Sequence, residues 1–435
     1  MFEHPYWWDD GAAPQPAEHG KLPTSVDNIV IGAGLTGLSA GHVLASEGRS
    51  VLVLDAADPG SGASSRNGGM IGGGCRIPTR TLVQRYGSDL VADLLRELHV
   101  DAVKYCLSLM EKEKTHCDFQ MTGRYIAQWL PGHLEHAVRD LELTRSLAPV
   151  EADAISRSQQ SREVKTDRYF GGILYRLQGG LNPAKWTHGI RCAAERAGAH
   201  VRGRTPVMGV DRNGSRIAVR TSGGTIRCKQ VLIATNGYTH GQFDDVGRGI
   251  FAVPSFIVVT EPLGEDRLGQ LIPNNRMIVE SRERHCYFRA SPDRQRLIFG
   301  GRAALFQASS SFTRRELRKL IHGIFPELSD VKISHCWKGN TGFTFETLPH
   351  LGENQGVFYA LGYCGGGNST APYLGYKAAK QMLGSAEGRT ALSCTRFTRR
   401  FWYRKSPWFL PLADVAFRLR DIRSDLQNRR ARSTR

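Results

Sequence analysis

The stretch Ile29-Val-Ile-Gly32-Ala-Gly34-Leu-Thr-Gly37-Leu-Ser-Ala40 leaves this chain few ways to fold. An apolar strand runs straight into a G-x-G-x-x-G turn, a helical pattern follows, and Val51-Leu-Val-Leu-Asp55 forms a second apolar strand. This is the βαβ unit of a Rossmann-like parallel sheet. Gly32 permits the tight turn, Gly34 lets the backbone approach a pyrophosphate, and Gly37 allows close packing of helix on strand. The helix N-terminus then turns unpaired N–H groups and a positive dipole end toward the phosphates. Asp55 can accept hydrogen bonds from a ribose diol and would repel a 2′-phosphate, which favours FAD or NAD over NADP.

The next segment separates those two. Gly60-Ser-Gly-Ala63-Ser64-Ser65-Arg66-Asn67-Gly68-Gly69 follows the second strand directly, where an NAD domain would continue with another helix and strand. It offers hydroxyls, amides and open backbone to a long anionic ligand. A second glycine turn, Gly362-Tyr-Cys-Gly365-Gly366-Gly367-Asn368, links the apolar strand Val357–Leu361 to a helix over about Thr370 to Leu383. Its free N–H groups could stabilise the negative charge that a reduced flavin carries near N1 and the C2 carbonyl.

Between these turns, apolar spacing predicts helices within Asp89–Met110, Pro131–Ala148, Leu181–Ala197 and Thr313–Ile324. Strands are expected within Val201–Ala234, Phe251–Glu261 and Cys286–Gly301. The expected architecture is α/β with an α+β second domain: a Rossmann-like FAD-binding domain carrying an inserted antiparallel-sheet substrate domain. The expected boundaries are an arm at 1–25, a discontinuous cofactor domain at 26–85, 165–250 and 335–385, a substrate domain at 86–164 and 251–334, and a basic extension at 386–435.

Taken together, these motifs resemble the D-amino-acid-oxidase-type FAD-dependent oxidoreductases, nearest to gamma-glutamylputrescine oxidase-like members. The resemblance rests on Tyr6-Trp7-Trp8, the βαβ unit, Ser65-Arg-Asn-Gly-Gly69, Ile233-Ala-Thr-Asn-Gly237, Tyr287-Phe-Arg289 through Phe299-Gly-Gly-Arg302, Trp337-Lys-Gly339, Leu348-Pro-His-Leu-Gly352 and Gly362–Asn368. It implies that Gly32, Gly34 and Gly37 hold the pyrophosphate and Asp55 the adenosine ribose. Ala63, Ser64, Ser65, Arg66, Asn67, Gly68 and Gly69 would line the pyrophosphate, ribityl chain and flavin. Val207, Ala234, Thr235 and Gly237 would enclose the adenosine, with Trp337 and Gly339 also at the cofactor. Gly365, Gly366, Gly367 and Asn368 would sit at the pyrimidine end of the isoalloxazine.

The implied chemistry is oxidation of an amine C–N bond by hydride transfer to flavin, followed by hydrolysis of the imine. O2 or another acceptor would take the electrons. Tyr287, Arg289 and Lys338 are the candidates to reach the substrate. Relatives that oxidise small α-amino acids carry an Arg just after Trp-x-Gly; here Thr341 stands there, which points to an amine, polyamine conjugate or opine-like compound. His285 and His335 read as packed or surface histidines. Cys336 lies close to where some relatives attach flavin covalently and Cys364 lies in the flavin-facing loop, but both read as inert buried thiols.

Lys and Arg number 58 against 41 Asp and Glu, a net charge of +17. Such an excess raises an RNA-modifying protein on the same fold as an alternative, and a flavin-binding subunit of a larger complex as another. No RNA-binding module is recognisable, so no nucleic-acid partner is expected. The cations crowd between Arg396 and Arg435, among the aromatics of Phe401–Phe417. That segment suits a membrane surface, the body of the protein or a second subunit of a homodimer. Packing, followed by a disordered basic end over Asn428–Arg435, is the expectation. The nine cysteines form no CxxC pair and so suggest no metal site, and reduced thiols fit a cytoplasmic protein. No secretory signal is read at the N-terminus, and no apolar run is long enough to span a bilayer.

Overall fold

The computed structural model describes residues 2–17, 20–213, 216–239, 243–403 and 406–433. Two sheets organise it. In the first, Asn28–Ile31 pairs in parallel with Val51–Leu54 on one side and Gln230–Ile233 on the other. His200–Arg202 extends one edge; Val357–Leu361 and the antiparallel His350–Asn354 extend the other. Asn28–Ile31 and Val51–Leu54 are buried along their whole length, because helices cover one face of the sheet and a small antiparallel meander the other. Helix Leu35–Ser46 packs against Gly367–Met382 and Pro183–Arg196. Gly41 in the first of these admits the Val53 side chain, since a Cβ there would lie 2.8 Å from its Cγ2. Asn182 caps helix Pro183–Arg196, accepting from the N–H groups of Ala184 and Lys185. A three-stranded antiparallel meander, Val207–Asn213, Arg216–Thr221 and Gly224–Cys228, packs on the same sheet.

The second sheet has eight strands in the order Ile333–Thr344, Ile250–Thr260, Leu297–Gly301, Cys286–Ala290, Met277–Glu280, Arg124–Ala127, Gly172–Tyr175, Ala152–Ile155. It is antiparallel apart from the parallel pair Met277–Glu280 and Arg124–Ala127. Two stretches expected in the cofactor domain therefore lie in this sheet. Gly172–Tyr175 pairs with both Arg124–Ala127 and Ala152–Ile155, and Ile333–Thr344 pairs along Ile250–Thr260. Local apolar pattern identifies a strand, but strand partnership depends on residues far away in sequence. Helix Ser310–Ile324 covers this sheet with Leu317 and Ile321, capped by the Ser309 hydroxyl.

Three further expectations change. The helix expected within Asp89–Met110 is interrupted by a π-helical turn at Glu97–Asp101, where the Glu97 carboxylate accepts from the Ala391 N–H at 2.8 Å. The glycine- and serine-rich loop after Asp58 contains a short helix, Ala63–Arg66. The basic C-terminus is helical from Leu410 to Ser433, not disordered from Asn428. Asn428 is buried, and its amide donates to the carbonyls of Trp129 at 2.6 Å and Arg168 at 2.8 Å, which holds the last turns of the helix to the body. Arg404, Lys405, Thr434 and Arg435 lie outside the described residues.

Candidate active site

The first glycine turn has the shape its residues predict. Gly32 sits at φ +107°, where a side chain would be strained, and a Cβ on it would lie 2.8 Å from the Ala234 carbonyl oxygen. A Cβ on Gly37 would lie 1.9 Å from the Gly32 carbonyl oxygen, so helix and turn meet at a distance only glycine allows. The Asp55 carboxylate reaches back across the turn. Oδ2 accepts from the Ala33 N–H at 2.8 Å and Oδ1 from the Ala57 N–H at 2.9 Å. Each oxygen keeps a lone pair for a ribose hydroxyl. Burial raises this carboxyl above its ordinary value, so donors from a bound diol would favour its ionised form. Val207 begins the strand beside this corner, and the Thr205 N–H donates to the Asp55 carbonyl at 2.8 Å.

No side chain of the helix's own Ncap closes helix Leu35–Ser46; the Ser64 hydroxyl accepts from the Leu35 N–H at 3.0 Å. Ser64 Oγ–H can then donate to a phosphate at the same place. The Ala63–Asn67 backbone is clamped from three directions. Trp7 Nε1 donates to the Asn67 carbonyl at 2.8 Å, Trp337 Nε1 to the Arg66 carbonyl at 2.7 Å, and Trp8 Nε1 to Ser65 Oγ at 3.2 Å. The Arg66 guanidinium lies 4.6 Å above the Trp8 ring. The N-terminal arm is thus part of the site's framework. Thr235 precedes the turn Asn236–Tyr238, and a Cβ on Gly237 would meet the Asn340 carbonyl oxygen at 2.8 Å.

The second glycine turn meets the Ala63–Gly69 loop through side-chain amides. Asn368 Nδ2 donates to Asn67 Oδ1 at 2.7 Å and to the Met70 carbonyl at 3.0 Å, while Asn67 Nδ2 donates to Asn368 Oδ1 at 3.1 Å. Gly365 lies at φ +101°. Gly366, Gly367 and Gly339 meet nothing closer than 3.6 Å where a Cβ would stand, and no side chain caps helix Gly367–Met382. Open glycine faces and uncapped N–H groups make a surface that a flat, anionic ring system fits. The two turns, more than three hundred residues apart in sequence, adjoin in the fold, with Thr36 Oγ1 2.6 Å from the Tyr363 hydroxyl, and with the Ala63–Gly69 loop against both they offer one cradle to an extended dinucleotide.

The substrate-facing candidates separate. Tyr287 reaches from the second sheet to the cofactor loop: a Cβ on Gly68 would come within 2.7 Å of its ring, and its hydroxyl is 3.1 Å from Ser255 Oγ. Arg289 is buried behind the cofactor loop, where Nη1 donates to the carbonyls of Gly69 at 2.7 Å and Leu181 at 3.2 Å. It supports that loop's backbone. Lys338 is exposed. Trp337, Gly339, Thr341 and Phe343 alternate onto one face of their strand and Lys338 onto the other, away from the cofactor loop.

Two arginines that sequence reasoning did not select stand where the substrate candidates were sought. Arg76 Nε donates to the Cys364 carbonyl at 2.7 Å, and Nη2 lies 3.1 Å from where a Gly365 Cβ would be. Arg76 is crowded by protein atoms while its side chain remains exposed to solvent, as a residue lining a cleft is. Arg302 shares that cleft. The two guanidinium carbons lie 5.8 Å and 5.3 Å from the Phe343 ring centre. Burial and the neighbouring Arg76 push Arg302 below its ordinary value; burial lowers Arg76. His285, expected to be an ordinary packed or surface residue, is buried beside them, with Nε2 3.1 Å from Arg76 Nη2. Burial and both arginines hold it neutral, so Nε2 accepts from Arg76. The available signal was a cation within two residues of a glycine run, Gly72-Gly-Gly-Cys-Arg76 and Gly300-Gly-Arg302. Cys336 and Cys364 are buried, and burial pushes their thiols up to about 11 and about 12, leaving little thiolate to react.

Residues 27–381 match the family model described as FAD dependent oxidoreductase, DAO. "Probable oxidoreductase OrdL" of Rhizobium meliloti (strain 1021) is 30% identical over 389 residues, covering 88% of this chain and 89% of its own. "Gamma-glutamylputrescine oxidoreductase" of Escherichia coli (strain K12) is 28% identical over 395 residues, covering 89% and 91%. Among solved structures, glycine oxidase from Geobacillus kaustophilus superposes with a TM-score of 0.69 at 19% identity, covering 88% of this chain and all of that one. L-proline dehydrogenase from P. horikoshii gives 0.68 at 21%, covering 85% and 96%. The chain belongs to the DAO family of FAD dependent oxidoreductases, as an enzyme of the amine and amino-acid oxidising type with FAD as its cofactor.

Proposed function

We propose that this enzyme oxidises a C–N bond of an amine that also carries a carboxylate, and that Arg76 and Arg302 grip that carboxylate. The observation that carries this reading is the arginine pair. Among the described residues neither guanidinium forms an ion pair with a carboxylate, and each is disfavoured by its surroundings. Cations crowded by protein and by each other are stabilised by an incoming anion. The Arg missing at Thr341 is then replaced from two other elements that converge on Phe343, two residues further along the same strand face.

Bound FAD supplies the hydride acceptor. The protein's own groups do the rest. Phe343 offers an apolar wall, and neutral His285 holds Arg76 in place without neutralising it. The free N–H groups at the start of helix Gly367–Met382 favour negative charge on the reduced ring system. The imine product is hydrolysed by water to a carbonyl compound and an amine. A γ-glutamyl amine, suggested by the Escherichia coli relative's name, would suit this site, because the γ-linked glutamate keeps its α-carboxylate.

The test is anaerobic bleaching of the flavin by a panel of amines with and without a carboxylate. Carboxylate-bearing amines should bleach it at far lower concentration than their amides. Equal potency would overturn the reading. Readmitting air then separates the electron acceptors: prompt recolouring with peroxide marks an oxidase, slow recolouring a dehydrogenase.

A further inference from the structure

Helix Leu410–Ser433 is amphipathic in the wrong sense for a helix that merely covers the protein. Leu412, Val415, Leu419, Ile422 and Leu426 recur at spacings of three and four, and all lie between 53% and 67% exposed. They form one stripe about 21 Å long on the outward face. The inward face is polar. Buried Asp414 accepts from the Leu305 N–H at 3.2 Å and from Arg418 at 2.7 Å. Asp421 accepts from the Arg284 N–H at 3.3 Å, Asp425 lies 3.6 Å from Arg282, and Asn428 is buried as described. The helix therefore turns all three of its carboxylates toward the body and its aliphatic side chains toward solvent.

The charge that remains outside is positive. At 100° per residue, Arg423 flanks the stripe on one side and Arg429 on the other, and exposed Arg420 lies further round. Phe401, Trp402 and Trp408, at 81%, 43% and 61% exposure, stand just before the helix. A second copy of this face would bring arginine rims together, whereas an anionic lipid surface complements them. No helix among the described residues is long and apolar enough to cross a membrane, so the helix would lie in the interface plane. Aliphatic stripe, cationic rims and interfacial aromatics are the three elements of such a helix.

We infer that helix Leu410–Ser433 docks this enzyme on an anionic bilayer surface, with the Leu412–Leu426 stripe in the acyl boundary and the arginine rims at the headgroups. The segment lies beyond residue 381, where the family match ends. It is nevertheless wired to the catalytic body: Leu410 packs with Phe343 and Cys364, and Arg284, facing Asp414, donates to the Arg302 carbonyl at 3.1 Å. Docking would hold the cleft near the bilayer at a set distance.

The test is flotation of the full-length holoenzyme with phosphatidylcholine vesicles, with and without phosphatidylglycerol. Binding is expected only to the anionic vesicles, with weakening by salt and a blue shift of tryptophan emission. The double variant L419D/I422D should bind about tenfold less or weaker still, with flavin content and turnover unchanged. Absence of wild-type flotation, or flotation indifferent to these substitutions, would overturn the assignment. So would a solution dimer that the same substitutions dissociate while vesicle binding is absent, because the face would then belong to a second copy.

Discussion

Replacing Arg302 by Met keeps an unbranched apolar stem and removes the guanidinium with its charge, which makes it the sharpest perturbation of the proposed site. A hydrogen bond to a charged group contributes about 1.5–3 kcal/mol. At about 1.4 kcal/mol per tenfold, R302M should lower kcat/KM for a carboxylate-bearing amine by about 10- to 150-fold. The lower part of that range is expected, because Arg76 remains and is relieved of its neighbour's charge. The carboxylate is remote from the reacting bond, so the loss should fall mainly on KM. The same amine as its carboxamide should lose about threefold at most, since the neutral group makes no ion pair to forfeit. The assay is anaerobic flavin reduction at varied concentration of both compounds, at matched flavin content. A parallel loss for acid and amide would mean that Arg302 shapes the cleft without reading charge, and the reasoning would fail.

Three other outcomes follow from the geometry. N368A removes two donated bonds and one accepted bond between the second glycine turn and the Asn67–Met70 segment, and should weaken FAD retention by about 10- to 100-fold in titration of the apoenzyme; unchanged retention would mean that other contacts hold these segments together. R289M takes a charged donor from the carbonyls of Gly69, which keeps the Leu181 N–H, and Leu181, so the denaturation midpoint should fall by the equivalent of about 1.5–3 kcal/mol, with the preference for carboxylate substrates intact; loss of that preference at full stability would return Arg289 to the substrate site. Burial lowers His99 and His350 from their ordinary value to about 4. Both folded values lie below the unfolded value, so the unfolded chain takes up protons first as pH falls. The stability these neutral rings contribute is present above about pH 6.5 and lost below it, by about 2 kcal/mol for each at pH 5. Urea midpoints that do not move between pH 7 and pH 5 would contradict this.

Local chemistry is legible wherever it is dictated by neighbours along the chain. Gly32, Gly34, Gly37 and Asp55 could be read in order because a turn, a close approach and a strand-end carboxylate each need a residue type at a fixed spacing. Helices such as Pro183–Arg196 were legible from a capping Asn, a proline and apolar period. Catalytic candidates were read less well. Lys338 was selected for its place beside Trp337 and Gly339, yet strand alternation turns it outward. Arg289 was selected for its charge, and the fold spends that charge on two carbonyls.

By itself, then, the order of residues determined the dinucleotide turn, the second glycine turn and the elements that carry them, because each of those rests on contacts within a few residues. Only the tertiary structure decided which strands join which sheet, that Asn67 and Asn368 pair, and that Arg76, His285 and Arg302 meet over Phe343. It also decided that the C-terminal helix turns its acids inward and its aliphatic stripe outward, against the usual reading of such a pattern. These features join groups tens to hundreds of residues apart, and no local spacing records them.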